Sequence, residues 1–160
     1  MSILDEMVAN LSCEELQAVQ EFTLTWTIFE ARLLENSATF PRIKKLLETQ
    51  RIDEGAWFAD HFDYFVDRYV DEGTVNFHFN ALNFRSDDGE GLVCKTLLGN
   101  AVDENEKLIS CFAIVHRFRN NLFHGLKWQY ELKDQLGNFQ HSVGLLTQAI
   151  CRIEQKRSGT

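Results

Sequence analysis

The sequence predicts an all-α fold: an up-and-down bundle of about four to six helices, with an irregular insertion around residues 73–98. Three observations carry that expectation. Apolar residues recur at steps of three and four over several long stretches, the spacing of a helix with one buried face. Two segments open on Ser or Asp followed three residues later by Glu, the form of a capping box. Proline is nearly absent, Pro41 being the only one in 160 residues, so almost no position bars a long helix.

The elements follow in order. Ser12 with Glu15 opens a helix near Cys13, and Leu16, Val19, Phe22, Trp26, Phe29 and Leu33 form its buried face. It should fade at "ENSATFP", and a short helix is expected over 42–49. The next long one starts near Asp53, its Phe58, Phe62, Phe65 and Tyr69 forming an aromatic stripe for the core. Val75, Phe77 and Phe79 then alternate with Asn76, His78 and Asn80, the period of a half-buried strand. With no partner strand in view, that stretch reads as an ordered loop or an edge. "SDDGEG" is a turn, and a short helix follows around 91–98.

Asp103 with Glu106 opens another helix, with Leu108, Cys111, Phe112, Val115 and Phe118 inward and Gly125 as its stop. In the last helix Leu132, Leu136, Phe139, Val143, Leu146, Ile150 and Ile153 make a heptad-like seam. Gly137 and Gly144 lie beside it, seven apart, and allow another helix to come close, inside the bundle or across a dimer. Residues 1–157 form one domain on this reading, and 158–160 a disordered tail.

Composition narrows the function classes. No apolar run nears the roughly 20 residues that span a bilayer, and "MSILDEMVANLSCEEL" is acidic, unlike a signal peptide. A cytoplasmic chain without membrane association is expected. Cys13, Cys94, Cys111 and Cys151 are far apart and form no CxxC pair, so free, mostly buried thiols are expected rather than a zinc site or disulfides. His61, His78, His116, His124 and Cys94 are scattered, and their spacing asks for no metal; no cofactor is predicted.

The net charge of −8 argues against broad phosphate binding along a nucleic acid, but its distribution is uneven. Residues 53–72 hold seven acids against Arg68 alone, the pattern of a solvated face, whereas Lys107 to Tyr130 contains four Lys or Arg and no acid. A local basic patch on an acidic body suits a small anionic site.

Within that patch stands "HRFRNNLFHGLKW", residues 116–128. On a straight helix Arg119 and His124 lie about 140° apart, while Asn120 and His124 share a face. If the helix loosens before Gly125, or two copies of the segment meet, arginine and histidine can converge on one anion. Imidazole exchanges protons near neutral pH, guanidinium grips phosphate oxygens in a fork, and an asparagine amide can orient either. His124 could equally serve as a helix C-terminal cap.

"RNNLFHG", Arg119 to Gly125, resembles the signature of the HEPN superfamily: an Arg, a polar residue next to it, and a His after four to six intervening positions. The intervening number here is four and the polar residue is Asn120. The helical layout and the aromatic-rich "WTIFEARLL" of the first long helix are similar too, whereas residues 73–98 have no counterpart. The resemblance implies a HEPN-like helical bundle that acts as a homodimeric, metal-independent endoribonuclease. Arg119, Asn120 and His124 are the implied catalytic set, and Arg117 and Lys127 are expected to help hold RNA. Two motif segments would line one cleft and leave 2′,3′-cyclic phosphate and 5′-hydroxyl ends, in a toxin or defence setting with an antitoxin or regulatory protein as a further partner. In the branch silenced by a nucleotidyltransferase antitoxin, a tyrosine stands two residues after the histidine. Leu126 holds that position here and the nearest tyrosine is Tyr130, so that form of control is not implied. The other reading is a non-catalytic helical module that binds RNA or a nucleotide, or only dimerises.

Overall fold

The computed structural model describes residues 2–100, 103–123 and 134–159. Eight helices and one two-stranded hairpin occur among them, in the order α1 (Ile3–Val8), α2 (Cys13–Leu33), α3 (Phe40–Gln50), α4 (Ala59–Tyr69), β1 (Val70–Asp71), β2 (Thr74–Val75), α5 (Phe77–Asn80), α6 (Glu90–Leu97), α7 (Glu104–Phe123) and α8 (Leu136–Ser158). The all-α class is as expected. The helices outnumber the expectation because α1 and α5 are short elements with little apolar periodicity of their own.

The first long helix forms as its sequence dictates. The Ser12 side chain accepts from the Glu15 N–H, and the Glu15 carboxylate accepts from the Ser12 N–H, so two orphan donors at the start of α2 are answered. Val19, Phe22, Trp26, Phe29 and Leu33 are buried, with Leu16 at the margin. In α3 Thr39 caps the N-terminus with Pro41 inside the first turn, where its missing N–H costs nothing.

Two boundaries differ from the sequence expectation. The aromatic helix starts at Ala59 rather than near Asp53, because Gly55 and Ala56 both take left-handed backbone angles (φ +81° and +45°) and hold the chain in a turn. Its stripe is core as expected: Phe58, Phe65 and Tyr69 are fully buried and Phe62 packs against them. The alternating stretch at 75–79 is also not an isolated strand. Val75 pairs with Val70 across the hairpin, and the Asn76 side chain then accepts from the Phe79 N–H and opens α5. The acidic residues of 53–72 are mostly exposed, as a solvated face should be.

The bundle is organised around α7. Every residue from Leu108 to Arg117 is buried, so this helix is surrounded rather than one-faced. Phe22 touches Phe118 and Phe29 touches Phe112, which sets α7 antiparallel to α2. Phe22 also meets Phe139 near the start of α8, while Arg32 pairs with Glu154 at 2.6 Å near both C-termini, so α2 and α8 run in the same direction. On the other side α7 packs against α3, α4 and α6. Thus α6, within the stretch expected to be an irregular insertion, is part of the core.

The buried line of α8 combines Phe139, Leu145, Leu146, Ala149, Ile150 and Ile153 with the polar Asn138 and Ser142; Leu132 of the expected seam lies outside the described residues. Gly137 and Gly144 serve α4 of the same chain. A Cβ on Gly144 would stand 2.7 Å from His61 Cε1, and one on Gly137 would meet the Tyr64 hydroxyl. The helix α8 continues through Ser158, into the segment expected to be a loose tail. All four cysteines are free thiols, but only Cys111 is buried; Cys13 and Cys151 are exposed, against the expectation of mostly buried thiols. Among the described residues no helix is long and apolar enough to cross a membrane.

Candidate functional site

Residues 116–123 of the basic segment form the last turns of α7. Its expected residues fall into three groups: Arg119 and Asn120 are brought together, Arg117 is turned into the fold, and His124 and Lys127 lie outside the described residues, as does Gly125.

Arg119 sits at the margin of the bundle with 31% of its side chain exposed. Its Nη1 donates to Asn120 Oδ1 at 3.0 Å, and its Nη2 lies 3.8 Å from Glu30 Oε2. The guanidinium is within cation–π reach of Phe123 (4.7 Å) and Trp26 (5.8 Å). Its Nε–H is buried and has no hydrogen-bond partner among the described residues. Glu30 is itself fixed, accepting from Trp26 Nε1 at 3.0 Å and from the Ala38 N–H at 3.1 Å. Phe123 is 51% exposed, an apolar ring left beside the charged group.

Arg117, expected at an RNA surface, is 2% exposed and belongs to the structure instead. Its Nη1 donates to Asp88 Oδ2 at 2.9 Å, its Nε to the Leu82 carbonyl and its Nη2 to Asn121 Oδ1. A guanidinium so enclosed has no face left for a phosphate, and that corrects the sequence reading. Asp88 is positioned by the turn before α6. Gly89 takes φ +78°, a left-handed conformation, and a Cβ there would collide with the Phe40 ring. Asp88 Oδ2 also accepts from the Arg85 N–H at 2.9 Å.

One contributor the sequence reading passed over is His116. It is buried, stacks on Trp26 with ring centroids 6.0 Å apart, and its Nε2 lies 3.3 Å from Asn120 Nδ2. Among the described residues its Nδ1 makes no close hydrogen bond to a side chain, and it lies 4.0 Å from Asp88 Oδ1. Burial pushes its titration below the ordinary 6.5; Asp88 and a hydrogen bond with the Ala38 backbone oppose that shift, and Arg117 and Arg119 add to it. The signal was present in the segment itself, since His116 and Asn120 are four apart on one helix face. Asp88 gave no such signal, because it reaches α7 only through the tertiary fold.

The outcome is a continuous polar path, Asp88–His116–Asn120–Arg119–Glu30, running from the core to a half-exposed cation. Its chemical capacity is to hold a small anion at Arg119 with a fixed amide beside it. Among the described residues no group of three or more His, Cys, Asp or Glu is placed to hold a metal ion. Comparison with known proteins finds no matching family model, curated protein or solved structure.

Proposed function

We propose that this chain is a HEPN-like endoribonuclease, acting as a homodimer on RNA without a metal, in a cytoplasmic toxin or defence role held in check by an antitoxin or regulator. The observation that carries the reading is the Arg119–Asn120 pair. The two are hydrogen bonded at 3.0 Å at the margin of the core, with the guanidinium partly exposed and an exposed aromatic ring beside them. His124 follows Phe123 directly in the chain.

In this mechanism His124 takes the proton from a ribose 2′-hydroxyl, and the freed 2′-oxygen attacks the adjacent phosphorus. The bond from phosphorus to the 5′-oxygen breaks, and the partner's His124, protonated, returns a proton to that leaving oxygen. Arg119 holds the phosphate and offsets the charge that builds on its oxygens, a stabilisation largest where water is excluded. Asn120 fixes the arginine. Phe123 offers a face for a base. The products are a 2′,3′-cyclic phosphate and a 5′-hydroxyl.

A second reading, a non-catalytic RNA- or nucleotide-binding or dimeric interaction module, is favoured by one contact. Glu30 already stands 3.8 Å from Arg119 and partly answers its charge. The two readings separate in one experiment: purified protein is incubated with mixed RNA in excess chelator, beside His124→Ala and Arg119→Ala. Cleavage that persists in chelator and vanishes in both variants is the expected result. Folded protein that binds RNA and cuts none supports the module.

A further inference from the structure

The polar path leading to Arg119 admits a single arrangement of protons. A guanidinium only donates, so the Asn120 amide must turn its oxygen toward Arg119 and its nitrogen toward His116. An amide nitrogen also only donates, so His116 Nε2 must accept. The imidazole is therefore neutral with its proton on Nδ1, the nitrogen that lies 4.0 Å from Asp88 Oδ1. We propose that His116 is the positioning residue of the Arg119 site: in its neutral, Nδ1-protonated form it orients Asn120, and Asn120 in turn holds Arg119.

Burial and the nearby arginines favour the neutral ring, while Asp88 and a hydrogen bond with the Ala38 backbone pull the other way. Trp26 of α2 stacks on the ring and excludes water from it. Asp88, in the turn before α6, carries the negative charge nearest to Nδ1, but its other oxygen is committed to Arg117 and the Arg85 N–H. It attracts the Nδ1 proton and also favours a charged ring, an effect that burial and the two arginines outweigh. Arg117 and Arg119 on α7 both oppose a charged imidazole. Glu30 of α2 faces Arg119 and is held by Trp26 and the Ala38 N–H.

Protonating His116 breaks the arrangement. A second N–H on Nε2 would face the Asn120 amide nitrogen, donor against donor. If the amide flipped to avoid that, its nitrogen would face the Arg119 guanidinium, again donor against donor. The Arg119–Asn120 bond and a charged His116 thus exclude each other, and the arginine loses its Asn120 partner as His116 titrates. The orienting role is a property of the unliganded protein; its consequence for RNA cleavage rests on the function proposed above.

The test has two arms. The first uses nitrogen-15 NMR of the His124→Ala protein, which leaves one imidazole fewer to assign. The expected result is a His116 proton on Nδ1 at pH 7.5 and an Arg119 Nε–H signal that moves in step with His116 as pH falls. In His124→Ala/His116→Gln, whose amide oxygen can accept from Asn120 and does not titrate, the Arg119 signal stays constant. A proton on Nε2 at pH 7.5, or an Arg119 signal indifferent to His116 titration, overturns the proposal. The second arm measures RNA cleavage: His116→Phe lowers kcat by about fivefold, the worth of one lost hydrogen bond between neutral groups, and His116→Gln recovers most of it with a flatter acidic limb. Equal loss in the Phe and Gln variants contradicts the orienting role. Absence of cleavage by the unaltered protein counts against the nuclease reading alone, since the NMR arm needs no catalysis.

Discussion

Asp88→Ala leaves a buried guanidinium without its carboxylate, and the structure sets the cost. Asp88 is 8% exposed and Arg117 2%, and the pair is 2.9 Å apart. Removing one partner of a buried ion pair costs about 3–5 kcal/mol, because the remaining charge stays desolvated. Arg117 keeps two acceptors, the Leu82 carbonyl and Asn121 Oδ1, which places the expectation at the low end, about 3 kcal/mol. Arg117→Met should cost less, about 2 kcal/mol, because a carboxylate can take up a proton whereas a guanidinium cannot lose one. Asp88 also retains the Arg85 N–H. In Asp88→Leu/Arg117→Met no buried charge remains, and stability should return to within about 1–2 kcal/mol of the parent protein. Urea unfolding at pH 7 measures all four proteins. An Asp88→Ala cost below about 1 kcal/mol, or a double variant no more stable than Asp88→Ala, would refute the reasoning.

Three further predictions follow from the geometry. Gly89→Ala should destabilise by roughly 2 kcal/mol or more, since it combines a left-handed backbone with a Cβ inside the Phe40 ring; the same denaturation assay reads it. Stability should fall as pH drops below about 6.5. His61, His116 and His141 all titrate below their ordinary value in the fold, chiefly through burial, so their contribution is complete above 6.5 and is lost as pH falls through the lowered folded values. His61 and His141 meet at 2.8 Å between Nδ1 atoms, where only one proton fits, so His141→Gln should flatten this acid loss in urea titrations between pH 7 and 5. Glu30→Gln should tighten binding of a non-cleavable 2′-deoxy oligonucleotide by about fivefold, because removing an opposing carboxylate 3.8 Å from a part-exposed cation is worth about 1 kcal/mol; unchanged affinity would separate Arg119 from the ligand.

Local signals were legible in the sequence, and tertiary ones were not. The capping box at Ser12 and the face from Val19 to Leu33 depend on neighbours within one helix, and both appear as read. The delayed start of α4 depends on Ala56 taking a positive φ, which its side chain does not announce. The inward face read for α7 was half of the truth, because Ile109, Ser110, Ala113 and Ile114 are covered by helices from the other side. In α8 the buried line admits Asn138 and Ser142, polar residues that a hydrophobic pattern skips; Tyr64 donates to Asn138 Oδ1 and so makes that burial tolerable. At the site, Arg119 and Asn120 stand side by side in the sequence, and on α7 they bond to each other. Arg117 looked equally available until Asp88, brought in by the turn at Gly89, closed over it.

The most direct trial of the central claim is the chemistry of the cut ends. A short RNA is incubated with the protein in excess chelator, beside the same RNA with every ribose replaced by its 2′-deoxy form. The account predicts 2′,3′-cyclic phosphate and 5′-hydroxyl ends from the RNA, an intact deoxy strand, and no products from His124→Ala. Cleavage of the deoxy strand, or 5′-phosphate ends, or equal cutting by His124→Ala would contradict it.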